Sequence, residues 1–291
     1  MSKAENIYMD IISILNSMNM KKYVVSVIGA TGVFGAQVVK NLLRGDRKEK
    51  YQVLICKTTG QSFGKVGELE AVELDEAIPK SDFIILCVED FEIKDYSNKI
   101  VPLMKPGATM ILVDASAAYI GDLMMKDGCS FVMVHPCHPP LFGPPEEKGE
   151  DIVVCLIKGN ESAFEEAKNV CIDMFESVKK VHRVTVEQMV LLEPAAAEII
   201  FNPAALLIKR TIDKVISMGV PKETAESFLL GHALTGLKIV FGKDPHGWTR
   251  TADAAAKIGF DLIINKNWEK IFDREELKHL IRRIFEYARS S

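Results

Sequence analysis

The stretch VSVIGATGVFGAQVVKNLL, residues 25–43, decides how this chain folds. An apolar run ending at Ile28 meets three glycines, Gly29, Gly32 and Gly35, and these open into the helical run AQVVKNLL. The spacing G-x-x-G-x-x-G at a strand-to-helix turn is a variant of the dinucleotide-binding fingerprint. A tight turn, close approach of backbone N–H groups to a pyrophosphate and close packing of helix on strand each exclude a side chain. The same glycines scattered elsewhere would carry little weight; between a strand and a helix they predict a site for NAD or NADP. The residues expected to line it are Gly29, Ala30, Thr31, Gly32, Val33, Phe34 and Gly35.

Working outward, short apolar runs alternate with helical segments: YQVLICK, DFIILCVED, TMILVDAS, SFVMVHP and DIVVCLI follow the first strand. Continuous apolar strands separated by helices read as an α/β, doubly wound parallel sheet of the Rossmann type. After about Arg183 the pattern turns helical and stays so to the end, which predicts an all-α C-terminal domain. The segment MVLLEPAAAEIIFNPAALLI is apolar nearly all round and reads as a helix buried on every side, as at a domain or dimer interface, started or divided by Pro194 and Pro203. Upstream, Ile7, Ile11, Ile14, Leu15 and Met18 recur at helical spacing. The expected organisation is a helical extension over 1–22, a nucleotide-binding domain over 23–183 and a helical substrate and dimerisation domain over 184–291.

Composition excludes several classes. With 36 Lys+Arg against 40 Asp+Glu in 291 residues the net charge is −4, so no basic face for nucleic acid is expected. With 48% apolar and 26% charged residues, the chain fits neither a disordered nor a membrane composition. The acids within its first apolar stretch argue against a secretory leader, and the six cysteines lack CxxC spacing. These features predict a globular cytoplasmic protein with reduced thiols.

Several residues in this frame have the right chemistry for a site. At the end of the second strand, where an acid about 20 residues on usually binds the ribose 2′-hydroxyl of NAD, stand Cys56 and Lys57, followed by Thr58 and Thr59. Lys57 with two hydroxyls suits a 2′-phosphate as well as it suits solvent. Val88 and Glu89 should line the cofactor side of the crevice. Ser116, after Asp114, is placed to reach substrate or to begin a helix. His135 and His138 flank Cys137 in a proline-stiffened loop at the ligand edge, where imidazole serves as general base or metal ligand. In the helical half Glu193 interrupts an apolar run and needs a partner, Glu198 and Asn202 follow at a spacing of four, and His232 is a lone polar residue in another apolar helix.

The order of Gly-rich turn, LCVED, LVDASA, HPCHPPLFGPP and LEPAAAE resembles the D-apionate oxidoisomerase family, whose C-terminal part resembles a phosphogluconate-dehydrogenase-type helical domain. More distantly the chain is similar to prephenate and β-hydroxyacid dehydrogenases. The first resemblance implies a nicotinamide-dependent oxidoreductase of carbohydrate metabolism acting on a branched sugar acid, with hydroxyl oxidation coupled to a skeletal rearrangement. The paired histidines at the sheet edge and the carboxylate in the apolar helix make His135, His138 and Glu193 the expected catalytic residues, with Ser116, Asn202 and His232 near substrate. A divalent cation, held by His138 and Glu193, would polarise the reacting oxygens. Simple β-hydroxyacid dehydrogenases carry a lysine four residues before an asparagine. Here that position is Glu198, which turns the expectation towards a His or Glu base. The apolar helix and leader point to a homodimer. The alternatives are a dehydrogenase without rearrangement and a non-catalytic dinucleotide-binding sensor.

Overall fold

The computed structural model describes residues 22–56, 66–137 and 150–290. The sequence builds one eight-stranded sheet in the order β3-β2-β1-β4-β5-β6-β7-β8. Its strands are β1 Tyr23–Ile28, β2 Tyr51–Cys56, β3 Ala71–Val72, β4 Phe83–Leu86, β5 Thr109–Leu112, β6 Ser130–Pro136, β7 Glu150–Lys158 and β8 Val178–Val184. From β3 to β6 every neighbour is parallel.

The helices that make this sheet doubly wound are α1 Val33–Leu42, α2 Ile93–Ile100, α3 Ser116–Ile120 and α4 Glu161–Asp173. On one face Val25, Val27, Val53, Ile85, Ile111, Val132 and Val154 pack with Val38, Val39 and Leu42 of α1 and Phe164, Ala167 and Val170 of α4. On the other Ile28, Ile84, Leu86, Met110, Leu112 and Phe131 pack with Ile93, Tyr96 and Ile100 of α2. Alternate strand residues therefore feed opposite cores, which is why each strand is apolar along its whole length. At the end of α4, Asp173 accepts from Tyr51 Oη at 2.8 Å and pairs with Arg47 at 3.1 Å and Lys50 at 3.2 Å. Burial and the Asp173 bond push the Tyr51 phenol well above its ordinary range.

The expected all-parallel sheet fails at one place. β7 runs antiparallel to β6, and β8 runs parallel to β7. A parallel return needs a crossover of a dozen or more residues, usually a helix, whereas the joining sequence CHPPLFGPPEEKG carries four prolines. β8 itself escaped the sequence pattern because its valines, 178, 181 and 184, are spaced by three, which mimics a helix. As an edge strand it tolerates Lys179, Lys180 and Arg183, charges that protect an open edge.

The chain divides into two compact units: one runs to Met189 and takes in Phe285 onwards, and the other is Val190–Ile284. The helical unit opens with a π-helical segment, Leu191–Phe201, with Pro194 inside it. It continues through α5 Asn202–Ser217, α6 Lys222–Val240 and α7 Arg250–Ile263, and α8 Arg274–Ser290 follows. Pro203 lies in the first turn of α5, where the π-helical segment passes into α-helix without a break. The helix expected to be buried on every side is not buried within the chain: Leu191, Leu192, Phe201, Leu206, Leu207 and Ile208 are exposed, and Pro194 and Ala195 are buried. By length and composition the helical run Val186–Ser217 is also long and apolar enough to cross a membrane. The apolar leader lies outside the described residues.

Candidate functional site

The sheet reverses direction between β1 and β4: β2 and β3 continue to one side of β1, and β4 to β6 to the other. In open α/β sheets a crevice opens at that switch point, outside the carboxyl ends of the strands. Four loops converge on this edge: the glycine turn after β1, Cys87–Glu89 after β4, Asp114–Ser116 after β5 and the end of β6.

The three glycines there have different reasons. Gly29 has φ +79°, and a Cβ on it would sit 1.9 Å from the Cys87 carbonyl oxygen. Gly35 lies against the same turn, its Cβ position 2.2 Å from the Gly29 carbonyl oxygen. Both are required by the protein's own packing. Gly32 is extended at φ −70°, ψ 162°, donates to Gly29 O at 3.1 Å, and a Cβ there would come no nearer than 3.4 Å to that oxygen. Nothing among the described residues demands glycine at 32, and its open side faces solvent.

Helix α1 begins at that point with no side-chain cap and no acid in its first turn, so its leading N–H groups are available to an anion. Thr31 and Gly32 are exposed, Ala30 is buried, Phe34 is half-buried, and Val33 is 75% exposed at the mouth of the turn. Across the crevice Val88 is half-buried and Glu89 exposed. Cys87 donates its N–H to Ile28 O at 2.9 Å, and burial pushes its thiol up to about 12, so it stays protonated and neutral. The residues present fit a dinucleotide. Lys57 lies outside the described residues.

Further along the edge, Asp114 and Ser116 are both buried. Ser116 donates its N–H to Asp114 Oδ1 at 2.6 Å and its hydroxyl to Asp114 Oδ2 at 3.1 Å, so the serine is tied into the turn that begins α3. On β6, His135 is half-buried, with Nδ1 2.8 Å from the Pro136 carbonyl. A carbonyl can only accept, so Nδ1 carries the proton and Nε2 of the neutral ring is the basic nitrogen. Cys137 is exposed, its N–H donating to Asp151 O at 2.8 Å. Burial, then nearby Asp151, raise its thiol, which leaves it a poor nucleophile. His138 lies outside the described residues.

Sequence reasoning passed over a neighbouring pair, His182 Nε2 to Asp151 Oδ2 at 3.0 Å, formed between β7 and β8. That hydrogen bond holds the Asp151 carboxyl below its ordinary range. No sequence signal announces it, because it depends on strand register.

In the helical unit, Glu193 and Glu198 are half-buried on the π-helical segment and Asn202 is exposed at the start of α5. Bonding from i to i+5 brings residues five apart to one side, so here Glu193 aligns with Glu198, which an α-helix would separate. His232 is exposed rather than set in a core; it stacks on Phe228 at 4.1 Å, and Nδ1 lies 2.8 Å from Phe228 O. Among the described residues no three His, Cys, Asp or Glu side chains converge to hold a metal.

Comparison with known proteins agrees with this architecture. Residues 142–285 match the family model for the phosphogluconate dehydrogenase (decarboxylating) C-terminal domain. The chain is 32% identical over 279 residues to a D-apionate oxidoisomerase of Blautia hydrogenotrophica, covering 90% of this chain and 96% of the relative. It is 30% identical over 272 residues to one of Cupriavidus necator, covering 89% and 98%. Among solved structures, a semialdehyde dehydrogenase NAD-binding protein from Cupriavidus necator in complex with calcium and NAD superposes with a TM-score of 0.80. The two are 30% identical, with coverage of 91% of this chain and 100% of that one.

Proposed function

Because the chain belongs to the D-apionate oxidoisomerase family and is an NAD(P)-dependent oxidoreductase, we propose that it oxidises a branched sugar acid of the D-apionate type and couples that oxidation to a skeletal rearrangement. The observation that carries the nucleotide half of this reading is Gly32, a glycine the fold does not need at the head of an uncapped helix. A nicotinamide nucleotide held by this turn would supply the acceptor for a hydride from the substrate carbon. The chain's own residues do the rest. The glycine turn and the first N–H groups of α1 hold the pyrophosphate, with Ala30, Thr31, Val33 and Phe34 around it. Val88 and Glu89 wall the crevice, and Lys57 sets the preference between NAD and NADP.

His135, with Nδ1 committed to a carbonyl, presents Nε2 as the base that takes the hydroxyl proton; His138 shares that role or holds the substrate carboxylate. Asp114 fixes Ser116 where the first turn of α3 meets the substrate. Glu193 serves as a second acid or base, and Asn202 and His232 contribute polar contacts to substrate. His138 and Glu193 are the proposed ligands of a divalent cation. The described residues alone do not make up a ligand set, and no step here runs through a metal.

The protein acts in the cytoplasm as a homodimer. Its six free cysteines suit a reducing compartment. The exposed apolar side chains of α5, α6 and α7 support a second copy as their cover. The run Val186–Ser217 carries Glu187, Glu193, Glu198, Lys209, Arg210, Asp213 and Lys214, charges costly in a bilayer and comfortable at a protein interface.

The test is reduced-cofactor absorbance with NAD or NADP and a panel of hydroxy acids that includes D-apionate, each with and without a chelator, followed by product analysis. Turnover on D-apionate with a changed carbon skeleton is expected. Oxidation with the skeleton intact returns the reading to a simple dehydrogenase; tight cofactor binding without turnover on any acid makes the protein a sensor. Wild-type turnover in both His138→Ala and Glu193→Ala at saturating substrate would remove the catalytic assignment.

A further inference from the structure

The sheet of the first unit has a second end. At the edge opposite the nucleotide turn, the starts of β1, β4, β5 and β6, the end of β7 and the first turn of α4 enclose an open groove of about 620 Å³. Two side chains there are out of keeping with a mere surface hollow. Thr109 and Ser130 are the first residues of β5 and β6, register partners on neighbouring parallel strands, and only 3% and 7% exposed. Both line the groove, and neither hydroxyl has a hydrogen-bond partner among the described residues. Nearly all of each side chain is buried, and the hydroxyl itself stays open to the groove, where it can pair with whatever enters.

The floor beside them is made of glycines in left-handed backbone, at φ +82°, +77° and +135°. Gly107, Gly128 and Gly159 line the groove, and a Cβ on Gly159 would stand 2.5 Å from Ser130 Oγ, covering it. Around the rim lie the Ser162 hydroxyl, the Asn160 amide and the Glu166 carboxylate, with the Tyr23 ring on the far side. Asn160 spends its oxygen on the Ala163 N–H at 2.9 Å, which leaves its NH₂ to donate.

Charge decides the class of ligand. The lining carries Asp82 and Glu166 against Lys158. Asp82 pairs with Lys105 at 2.8 Å and Lys158 with Asp127 at 2.6 Å, so an anion would find no net attraction. Hydroxyls, an amide and a carboxylate that donate and accept at close quarters match vicinal hydroxyl groups, and the Tyr23 ring offers an apolar face to their carbons. We propose that this groove binds a neutral polyol of sugar size, at a site separate from the nucleotide crevice and at the other end of the same strands.

The experiment is a D-ribose titration of the full chain labelled with ¹⁵N-glycine. Saturable shifts are expected at Gly107, Gly128 and Gly159, with Gly29, Gly32 and Gly35 unmoved. In the Thr109→Val, Ser130→Ala double variant the affinity falls roughly tenfold, as loss of two hydrogen bonds implies, while nucleotide binding is kept. Ser130→Ala alone gives an intermediate loss and serves if the double variant does not fold. A linear, non-saturating response, shifts that persist unchanged in the variants, or silence because another segment fills the groove would each overturn the proposal.

Discussion

The two units of this chain are both rich in apolar residues and use them differently. In the sheet unit, apolar side chains on both faces of the strands meet helices of the same unit, and residues such as Phe131 and Phe164 are completely buried. In the helical unit the buried apolar side chains among the described residues come down to Val190, Pro194, Ala195, Ile212, Ala225, Leu277 and Ile281. Meanwhile Phe228 is 61% and Leu262 80% exposed. A sheet closes a core within one chain because its helices can cover both faces; helices apolar on several sides need more neighbours than one short unit supplies. The difference teaches that similar hydropathy builds a finished domain in one place and an unfinished one in the other.

The largest effect that tests this contrast is Phe164→Ala, expected to cost the sheet unit about 3–5 kcal/mol by leaving a cavity. Phe228→Ala should cost far less in the dissociated chain and should instead weaken self-association. Denaturant melts alongside light scattering over a concentration series separate the two, and equal losses of stability would erase the distinction.

A finer test stays within the glycine turn. Gly35→Ala forces a methyl against the Gly29 carbonyl and should destabilise the fold by about 1–3 kcal/mol. Gly32→Ala should leave the melting temperature nearly unchanged yet raise the Kd for the dinucleotide about tenfold or more, by calorimetry. If the two variants behaved alike, Gly32 would answer to the fold and not to a ligand.

Smaller still, Asp114→Ala removes the acceptor for both Ser116 donors and should cost about 1 kcal/mol, the usual worth of such a turn-capping oxygen. The same change in Glu193 should leave stability less affected and lower turnover, a split visible by measuring melting and kcat together.

The slightest effect concerns pH. Because Asp151 titrates below its ordinary range when folded, its contribution is present above the unfolded carboxylate value and fades as pH falls through the lowered one. An NMR titration of the Asp151 carboxyl should show that depressed midpoint, and His182→Ala should return it upward; an unmoved midpoint would mean the pair at 3.0 Å does not form in solution.

Most of the sheet is legible in the order of residues. Strands β1, β2, β4, β5, β6 and β7 are apolar along their length because both faces are covered, and the glycine turn is marked by its spacing. What the pattern misses has physical causes. β8 is an edge strand whose three-residue valine spacing imitates a helix. β3 is two residues long, too short for any periodicity to show. At the site, glycines and the end-of-strand positions of Ser116 and His135 follow from local order. The commitment of Ser116 to Asp114, the tautomer that the Pro136 carbonyl fixes on His135, and the His182–Asp151 pair depend on distances between side chains that no spacing encodes.

By itself, then, the sequence determined six of the eight strands, their alternation with helices and the glycine turn after the first of them, because strand periodicity and glycine stereochemistry are local properties. Tertiary structure alone decided that β7 turns back antiparallel, that Gly29 and Gly35 serve the fold while Gly32 does not, and that a π-helical segment aligns Glu193 with Glu198. It also left the apolar helices of the second unit uncovered. Each of these depends on what stands opposite a residue in space, and a linear pattern carries no record of the neighbour across the gap.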